Sequence, residues 1–208
     1  MCIRDRSTLP ILGCTLIDAT EEKTTLRATD LEITIQAEIP TSLEQTGTTA
    51  LPLKTLLDIT NEMPETRLTL SVDEKNRATI TTDTGKYDLM AKPAEEFPAT
   101  PEEDNRKPTG ISSGVLKDLI KNTLFAVSRD ELKPALTGVL FRFGKSELTG
   151  VATDGHRLVQ YVRNDYKADE FLGDVIVPKK FLSLLSSVLR TDEPIQLWMG
   201  NNLSLIHI

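Results

Sequence analysis

Residues 149–154 read TGVATD and echo residues 25–30, which read TLRATD, at an offset of 124 residues (149 − 25). Two further pairs of segments follow in the same order and at nearly the same offset: PILGCTL (10–16) with PALTGVL (134–140), and PLKTL (52–56) with PKKFL (178–182). Three ordered matches indicate an internal duplication, and the period is far too long for a solenoid repeat. The sequence therefore predicts two related domains in tandem.

The boundary between the two copies is visible in the composition. Residues 92–108 read KPAEEFPATPEEDNRKP, with four prolines and a cluster of acidic residues, which is typical of an extended surface connection. We place the join near Lys107, so that the domains span residues 6–107 and 108–202. The ends fit no neighbouring pattern, and we predict that residues 1–5 and 203–208 are non-native flanks. The alternative is a frayed N-terminus and a last strand.

Strand patterns dominate each copy and helical spacing is rare. Residues 32–39 alternate strictly between apolar and polar side chains, and the same rhythm recurs in residues 68–72, 78–82, 139–143 and 158–162. Apolar residues follow helical spacing only in residues 53–63, 115–125 and 180–189, the second after a capping serine at Ser112 or Ser113. This arrangement predicts an α+β class and argues against an alternating βαβ fold.

Bulk composition narrows the class of protein without deciding its function. The 208 residues carry a net charge of −7, which argues against a protein that grips phosphates over its whole surface but permits one basic face. No apolar run approaches the roughly 20 residues of a membrane span, and no export signal opens the chain. The two cysteines, Cys2 and Cys14, form no CxxC or Cys/His cluster. We predict a cytoplasmic protein without disulfide, metal or cofactor.

Catalytic motifs are missing from the sequence. It contains no glycine-rich phosphate loop, GxSxG, HExxH or paired carboxylates of the polymerase or nuclease type. Asp154, His156 and Arg157 resemble a general acid–base set, but Asp154-Gly155 is also a natural turn between strands. The repeat partner Asp30 is followed by no histidine. We therefore predict that the chain has no enzymatic activity.

Specific residues connect the chain to a known family. Residues 151–158 (VATDGHRL) are the most characteristic, and further matching stretches lie at residues 8–12 (TLPIL), 28–32 (ATDLE), 97–98 (FP), 125–128 (FAVS) and 175–180 (VIVPKK). In this order they resemble the bacterial DNA sliding clamps, the beta subunits of DNA polymerase III. The resemblance covers residues 6–202, and it agrees with the repeat, because clamp protomers contain three similar domains.

The resemblance implies a fold and an assembly. We expect tandem DNA-clamp domains, each with antiparallel sheets outside and helices lining the inner face. The chain would hold most of domain one, without its first strand and helix, and most of domain two, while domain three is absent. Intact clamps are head-to-tail homodimers that close into a ring.

The resemblance also implies a function in DNA replication. The ring is a processivity factor: it encircles duplex DNA, independently of sequence, and tethers the replicative polymerase. The implied partners are duplex DNA, DNA polymerase III, other proteins with clamp-binding motifs and a separate ATP-driven clamp loader, with no role for a membrane. The clamp is a non-catalytic subunit of the polymerase holoenzyme.

Short linear motifs from partners dock in a hydrophobic cleft of the clamps, and one wall of that cleft belongs to domain two. Seven positions of this chain match that wall: Lys133, Leu136, Thr153, Gly155, His156, Arg157 and Leu158. Lys133 replaces the arginine usual in the family, which removes planar bidentate contacts. Glycine permits close approach of a peptide, and its neighbours provide an apolar wall with a polar rim.

Basic residues mark the expected DNA surface. Lys54 and Lys180 occupy equivalent repeat positions at helix starts, where a cation opposes the helix dipole, so their presence in both copies indicates a use beyond stability. Two solvated surface lysines remain the alternative. The resemblance supports Lys54 and adds Arg6 and Arg129 as DNA-binding residues. Lys117 and Lys121 are weaker candidates, and the acidic neighbours of Arg129 weaken DNA contact there.

A β-rich repeat protein that serves as an interaction scaffold without DNA is the alternative from another class. Charge reversal at Lys54 and Lys180 separates the two hypotheses. A clamp would lose its hold on DNA, whereas a scaffold would be unaffected.

Overall fold

The structure is a computed structural model that describes residues 9–99, 108–167, 171–190, 193–199 and 204–207. The chain divides into two compact units, Met1–Pro101 and Glu102–Ile208. Both units combine antiparallel sheets with few helices, which confirms the predicted α+β class. The expected join near Lys107 lies outside the described residues.

Residues 9–99 of unit 1 form two antiparallel sheets and one α-helix. The first sheet has the strand order β3-β2-β1-β4, and the second has the order β5-β6-β7. The elements run in chain order as η1 (Pro10–Gly13), β1 (Cys14–Ala19), β2 (Thr24–Thr29), β3 (Thr34–Ile39), β4 (Gly47–Pro52), α1 (Leu53–Glu62), β5 (Thr69–Val72), β6 (Arg77–Thr81), β7 (Lys86–Met90) and η2 (Ala94–Glu96), where η denotes a 3₁₀ helix.

Unit 2 repeats this plan and adds a strand and a helix in front. Its sheets have the orders β11-β10-β9-β12 and β14-β13-β8. The elements are β8 (Thr109–Ser112), α2 (Ser113–Thr123), η3 (Leu124–Ala126), η4 (Pro134–Leu136), β9 (Gly138–Phe143), β10 (Leu148–Thr153), β11 (Leu158–Arg163), β12 (Gly173–Pro178), α3 (Lys179–Val188), β13 (Pro194–Met199) and β14 (Ser204–His207).

The predicted repeat is present in the strand pairing. The run from η1 to β6 matches the run from η4 to β14 element by element. Cys14 pairs with Pro52 across β1 and β4, and Gly138 pairs with Pro178 at the corresponding place between β9 and β12. The three predicted helices are confirmed within two residues of their expected bounds, and the Ser112 hydroxyl caps α2 by accepting from the Val115 amide.

The two ends of the chain differ in what the structure describes. Residues 1–8 lie outside the described part. Residues 204–207 form β14, which pairs antiparallel with β13 in the register Gln196 to His207. The pairing does not test whether residues 203–208 are native, so the assignment of both flanks stays a prediction.

The core of unit 2 is continuous because α2 packs across its four-stranded sheet. Leu116, Leu119 and Ile120 of α2 are buried, and Leu182 and Leu185 of α3 join the same core. A Cβ built on Gly150 of β10 would lie 2.9 Å from the Leu119 side chain, so the missing side chain lets the helix approach the sheet closely. Burial of a full leucine side chain stabilises a fold by about 2 kcal/mol.

Unit 1 has a smaller core among its described residues. Two separate clusters occur there, one around Ile11 and Phe97 and one around Leu51 and Ala78. Strand β3 is exposed throughout, although its alternating pattern is that of a half-buried strand. The reason is that β3 is the edge strand of its sheet, and the described part of unit 1 has no counterpart of α2 to cover it.

The repeat makes this difference in burial measurable at single positions. Leu56 and Ile59 of α1 correspond to Leu182 and Leu185 of α3 at an offset of 126 residues. Leu182 and Leu185 are buried, whereas Leu56 and Ile59 are only half-buried. The same helix position therefore contributes less hydrophobic stabilisation in unit 1 than in unit 2.

Arg163 joins β11 to α2 through an ionic network. Its Nη1 donates to Asp118 Oδ2 of α2 at 2.8 Å, while its Nε and Nη2 donate to the two carboxylate oxygens of Asp165 at 2.8 and 2.7 Å. The hydrogen bonds from Arg163 lower the pKa of Asp165 to about 2. The bidentate geometry holds both partners in one arrangement.

We expect this network to produce a measurable pH dependence of stability. Because the folded-state pKa of Asp165 lies below its ordinary value of 3.8, its contribution is complete above about pH 4 and disappears as the pH falls through about 2. The difference in unfolding free energy between the wild-type protein and Asp165→Asn, measured in urea from pH 6 to pH 2, should therefore be constant above pH 4 and shrink below it. A difference that is unchanged over the whole range would contradict this assignment.

None of the helices in the described part of the chain has the length and apolar character required to span a membrane.

Candidate functional site

The turn between β10 and β11 is built by hydrogen bonds from its own residues. Thr153 Oγ1 donates to the carbonyl of Arg157 at 2.7 Å and accepts from the Gly155 amide at 3.1 Å. Asp154 Oδ1 accepts from the amides of His156 at 3.1 Å and Arg157 at 3.0 Å. Bonds from the Arg157 and His156 amides, in that order, lower the pKa of Asp154.

Unit 1 forms the same turn with a different sequence. Thr29 Oγ1 donates to the carbonyl of Ile33 and accepts from the Leu31 amide, both at 3.1 Å. Asp30 Oδ1 accepts from the amides of Glu32 at 3.1 Å and Ile33 at 2.9 Å. The Thr-Asp pair therefore makes the turn in both units, and Gly155, His156 and Arg157 are not needed to form it.

The third residue of each turn has a left-handed backbone. Gly155 has a φ of 87°, and Leu31 has a φ of 77° at the equivalent position. A residue with a Cβ loses roughly 1–2 kcal/mol of conformational free energy in this region. Leu31 is strained in this way, whereas Gly155 is not. Apart from the two chain neighbours of Gly155, no residue has an atom within 4 Å of the position that a Cβ would occupy, so the space above this glycine is open.

Arg157 makes contacts that its counterpart Ile33 cannot make. Its Nε donates to Asp154 Oδ2 at 3.0 Å, and its Nη2 donates to the backbone carbonyl of Phe125 in η3 at 3.0 Å. The guanidinium carbon also lies 5.7 Å from the centroid of the Phe125 ring, which is 56% exposed. Phe125 was not predicted as part of the site, because it is 32 residues from Arg157 and bonds through its backbone.

The expected cleft residues lie on two segments that η3 connects. Leu136 belongs to η4, and its carbonyl accepts from the Ser128 amide at 2.9 Å, two residues beyond the end of η3. Phe125 of η3 accepts from Arg157. Leu158 is 66% exposed, Leu136 is half-buried, and Lys133 is exposed at the start of η4. Both segments are therefore hydrogen-bonded to residues in or just after η3, and together they present apolar and polar side chains.

The carboxylate of Asp154 is engaged by groups of the turn itself. Asp154 Oδ1 accepts from two backbone amides and Oδ2 accepts from the guanidinium of Arg157, so this carboxylate holds both the turn and the arginine side chain. Among the described residues, no group of three or more His, Cys, Asp or Glu side chains is arranged to hold a metal ion.

The candidate DNA-binding lysines occupy matching places. Lys54 is the second residue of α1 and Lys180 the second residue of α3, and both are exposed. Each helix follows a proline, Pro52 or Pro178, at the end of a strand. Arg129 is exposed in the loop between η3 and η4, next to two exposed acids, Asp130 and Glu131. Arg6 lies outside the described residues.

A groove of about 710 Å³ separates α2 from α3 in unit 2. Its lining includes Lys117 and Lys121 from α2 and Lys179 from α3, against a single acid, Asp118. Asp118 is bonded to Arg163, so the lysines dominate the charge of the groove. Lys117 and Lys121 were predicted only as weaker DNA-binding residues, and Lys179 was not predicted.

Family models match both units. The model described as the DNA polymerase III beta subunit, N-terminal domain, matches residues 1–101. The model described as the central domain of the same subunit matches residues 110–208. The order of the two models agrees with the order of the repeats in this chain.

Curated relatives of this chain are proteins named beta sliding clamp. The chain is 34% identical over 216 residues to a protein of Staphylococcus epidermidis named beta sliding clamp, and the match covers 99% of this chain and 57% of that protein. The chain therefore spans a little over half the length of this relative.

Solved structures have the same fold. The chain superposes with a TM-score of 0.92 and 26% identity on a crystal structure described as a putative DNA polymerase III beta subunit from Eubacterium rectale, covering 99% of this chain and 56% of the other. It superposes with a TM-score of 0.90 and 28% identity on the DNA polymerase sliding clamp from Bacillus subtilis, covering 100% of this chain and 57% of that one. The expected DNA-clamp fold is confirmed.

Proposed function

The chain belongs to the DNA polymerase III beta subunit family, and from this premise we propose that the protein containing it is a ring-shaped sliding clamp that encircles duplex DNA. The two units correspond to the first and middle domains of a three-domain protomer, with the boundaries 6–107 and 108–202. Two protomers associate head to tail to close the ring. It acts in the cytoplasm as a processivity factor for the replicative polymerase.

One observation carries this proposal. The same sheet order, β3-β2-β1-β4 and β11-β10-β9-β12, occurs twice in one chain, each followed by a helix with an exposed lysine at its second residue. A ring around a duplex must present similar positive charge to the phosphates from several directions. A repeated domain with a lysine at the same position in each copy meets this requirement. Loose phosphate contact without base reading is what sliding requires.

The proposed DNA surface combines the predicted residues with the groove. Lys54, Lys180, Arg129 and Arg6 contact phosphates from their positions along the ring. Lys117, Lys121 and Lys179 support them, because three lysines face one groove whose single acid is already paired. Such contacts neutralise phosphates and release counterions, so binding weakens as salt rises.

The proposed partner site is one wall of a peptide cleft. Exposed Leu158 and half-buried Leu136 provide apolar surface, and the open space above Gly155 admits a peptide backbone. Lys133, Thr153, His156 and Arg157 form a polar rim around it. The partners are DNA polymerase III and other proteins with clamp-binding motifs, while an ATP-driven clamp loader opens the ring. The chain itself is non-catalytic.

The test is topological. The full-length protein encoded by the parent gene is loaded onto nicked circular DNA by a clamp loader, and the circle is then cut to a linear form. We expect the protein to remain on the circle and to leave from the ends of the linear DNA, since a closed ring is held by linkage rather than by affinity. Protein on DNA is measured by gel filtration at raised salt, which removes molecules held by charge alone.

Two outcomes would overturn the proposal. Equal retention on circular and linear DNA would show ordinary affinity binding. No retention on either form, with a loader that loads a known clamp in parallel, would favour the scaffold without DNA. The known clamp is the matched control for loader activity.

A further inference from the structure

Arg157 is held in place by two side-chain contacts that the turn itself does not need. Unit 1 builds the same turn with Ile33 at the equivalent position, so the guanidinium contacts to Asp154 and Phe125 add nothing that turn formation requires. The side chain of Arg157 is 59% exposed, and that of Phe125 has a similar exposure. A long side chain at such a site ordinarily samples many rotamers, and fixing it costs entropy.

We propose that Phe125 and Asp154 are positioning residues that hold the guanidinium of Arg157 ready for a partner peptide. Asp154 Oδ2 takes the Nε hydrogen, and the Phe125 carbonyl takes one Nη2 hydrogen. The guanidinium carbon of Arg157 lies over the Phe125 ring, 5.7 Å from its centroid. This positioning role rests on the proposed peptide cleft, in which Arg157 is one of the rim residues.

This arrangement leaves a defined set of donors for the partner. A guanidinium has five N–H groups, of which the contacts to Asp154 and Phe125 use two. The three remaining donors lie in the plane of the guanidinium. They suit an oxygen acceptor of the peptide, either a backbone carbonyl or a carboxylate. Because the rotamer is fixed before binding, the peptide does not bear the ordering cost.

The experiment is a double-mutant cycle in the full-length protein. The probe is a fluorescently labelled clamp-binding-motif peptide from the host's DNA polymerase III, and the readout is its Kd from fluorescence anisotropy. We expect Phe125→Leu to weaken binding about threefold to tenfold, since the cation–π contact and the rotamer restraint are lost. Phe125→Tyr keeps the ring and should bind like the wild type. Asp154→Asn should weaken binding by a similar factor.

The cycle separates positioning from direct contact. If Phe125 acts through Arg157, then Phe125→Leu has no further effect on the Kd in an Arg157→Ala background. If Phe125 contacts the peptide itself, or only stabilises the fold, its effect persists in that background, which would overturn the inference. A peptide with its acidic side chains amidated tells the two acceptors apart: an Arg157→Ala effect that survives amidation identifies a backbone carbonyl.

A matched control is available elsewhere in unit 2. Arg142 of β9 forms an exposed bidentate pair with Asp174 of β12, with bonds of 3.0 and 2.8 Å. Asp174→Asn removes the same charge from a similar pair and should leave the Kd unchanged. If Arg157→Ala weakens peptide binding but Phe125→Leu does not, the positioning role of Phe125 is rejected and the peptide cleft is retained. Wild-type protein that does not bind the peptide would reject the cleft.

Discussion

Charge reversal at Lys54 and Lys180 together is expected to lower the affinity of the full-length ring for duplex DNA by about 100-fold at low salt. Both side chains are exposed at the second residue of a helix that follows a strand-ending proline. Each reversal replaces an attraction for phosphate by a repulsion, and two protomers bring four such positions to the ring. Affinity is measured by fluorescence anisotropy with a labelled duplex at several salt concentrations.

The slope against salt distinguishes lost contacts from a general change of charge. Each lost phosphate contact should reduce the slope of log affinity against log salt by about one. The control is charge reversal at Lys75 and Lys145, which are exposed in other turns of the two units and change the net charge equally. Equal losses in both double variants would mean that net charge, rather than the helix starts, governs binding. An unchanged affinity for Lys54→Glu/Lys180→Glu would favour the scaffold.

Replacement of Gly150 by leucine is expected to destabilise unit 2 by about 3 kcal/mol. Leucine is the residue that unit 1 carries at the equivalent position, Leu26. In unit 2 the first side-chain atom alone would lie 2.9 Å from Leu119 and 3.1 Å from Thr123 of α2, and both of those residues are buried. The helix must therefore move away from the sheet, and its contacts with β10 and β11 weaken.

Hydrogen–deuterium exchange of the full-length protein gives the local measurement for this variant. Amides of α2 and β10 should exchange about 100-fold faster, the factor that corresponds to about 3 kcal/mol. Gly47→Leu is the control, because the Cβ position at Gly47 in β4 has no neighbouring atom within 4 Å. Exchange in α2 that matches the wild type would show that the core accepts the side chain without displacing the helix.

Local patterns in the sequence predict the helices and strands well, and the internal repeat predicts which strands occupy equivalent places in the two sheets. The apolar spacing of residues 180–189 locates α3 because that helix is amphipathic over a buried face, with Leu182 and Leu185 inward. The matched segments at residues 25–30 and 149–154 place β2 and β10 at equivalent positions in their sheets. These features depend on neighbours in sequence, which are visible without a structure.

Burial and long-range contacts were harder to predict. The alternation in residues 34–39 indicates a strand but cannot show that β3 lies at an open edge, since that depends on which element packs across it. The contact between Arg157 and Phe125 joins residues 32 positions apart and runs through a carbonyl, which every residue possesses. Lys179 faces the α2–α3 groove because of the phase of α3, and its neighbour Lys180 looks equally suitable in sequence.

The unequal burial of Leu56 and Leu182 has a consequence for how the protein opens. Helix α1 leaves its apolar side half-exposed, whereas α3 is locked into a continuous core. In this chain we therefore expect opening to begin around α1 and the slower-exchanging amides to lie in unit 2. A protease that samples these fluctuations would cut first around α1 and leave the second repeat intact. In the described part of this chain, the two copies of one architecture are therefore expected to differ in how long they stay closed.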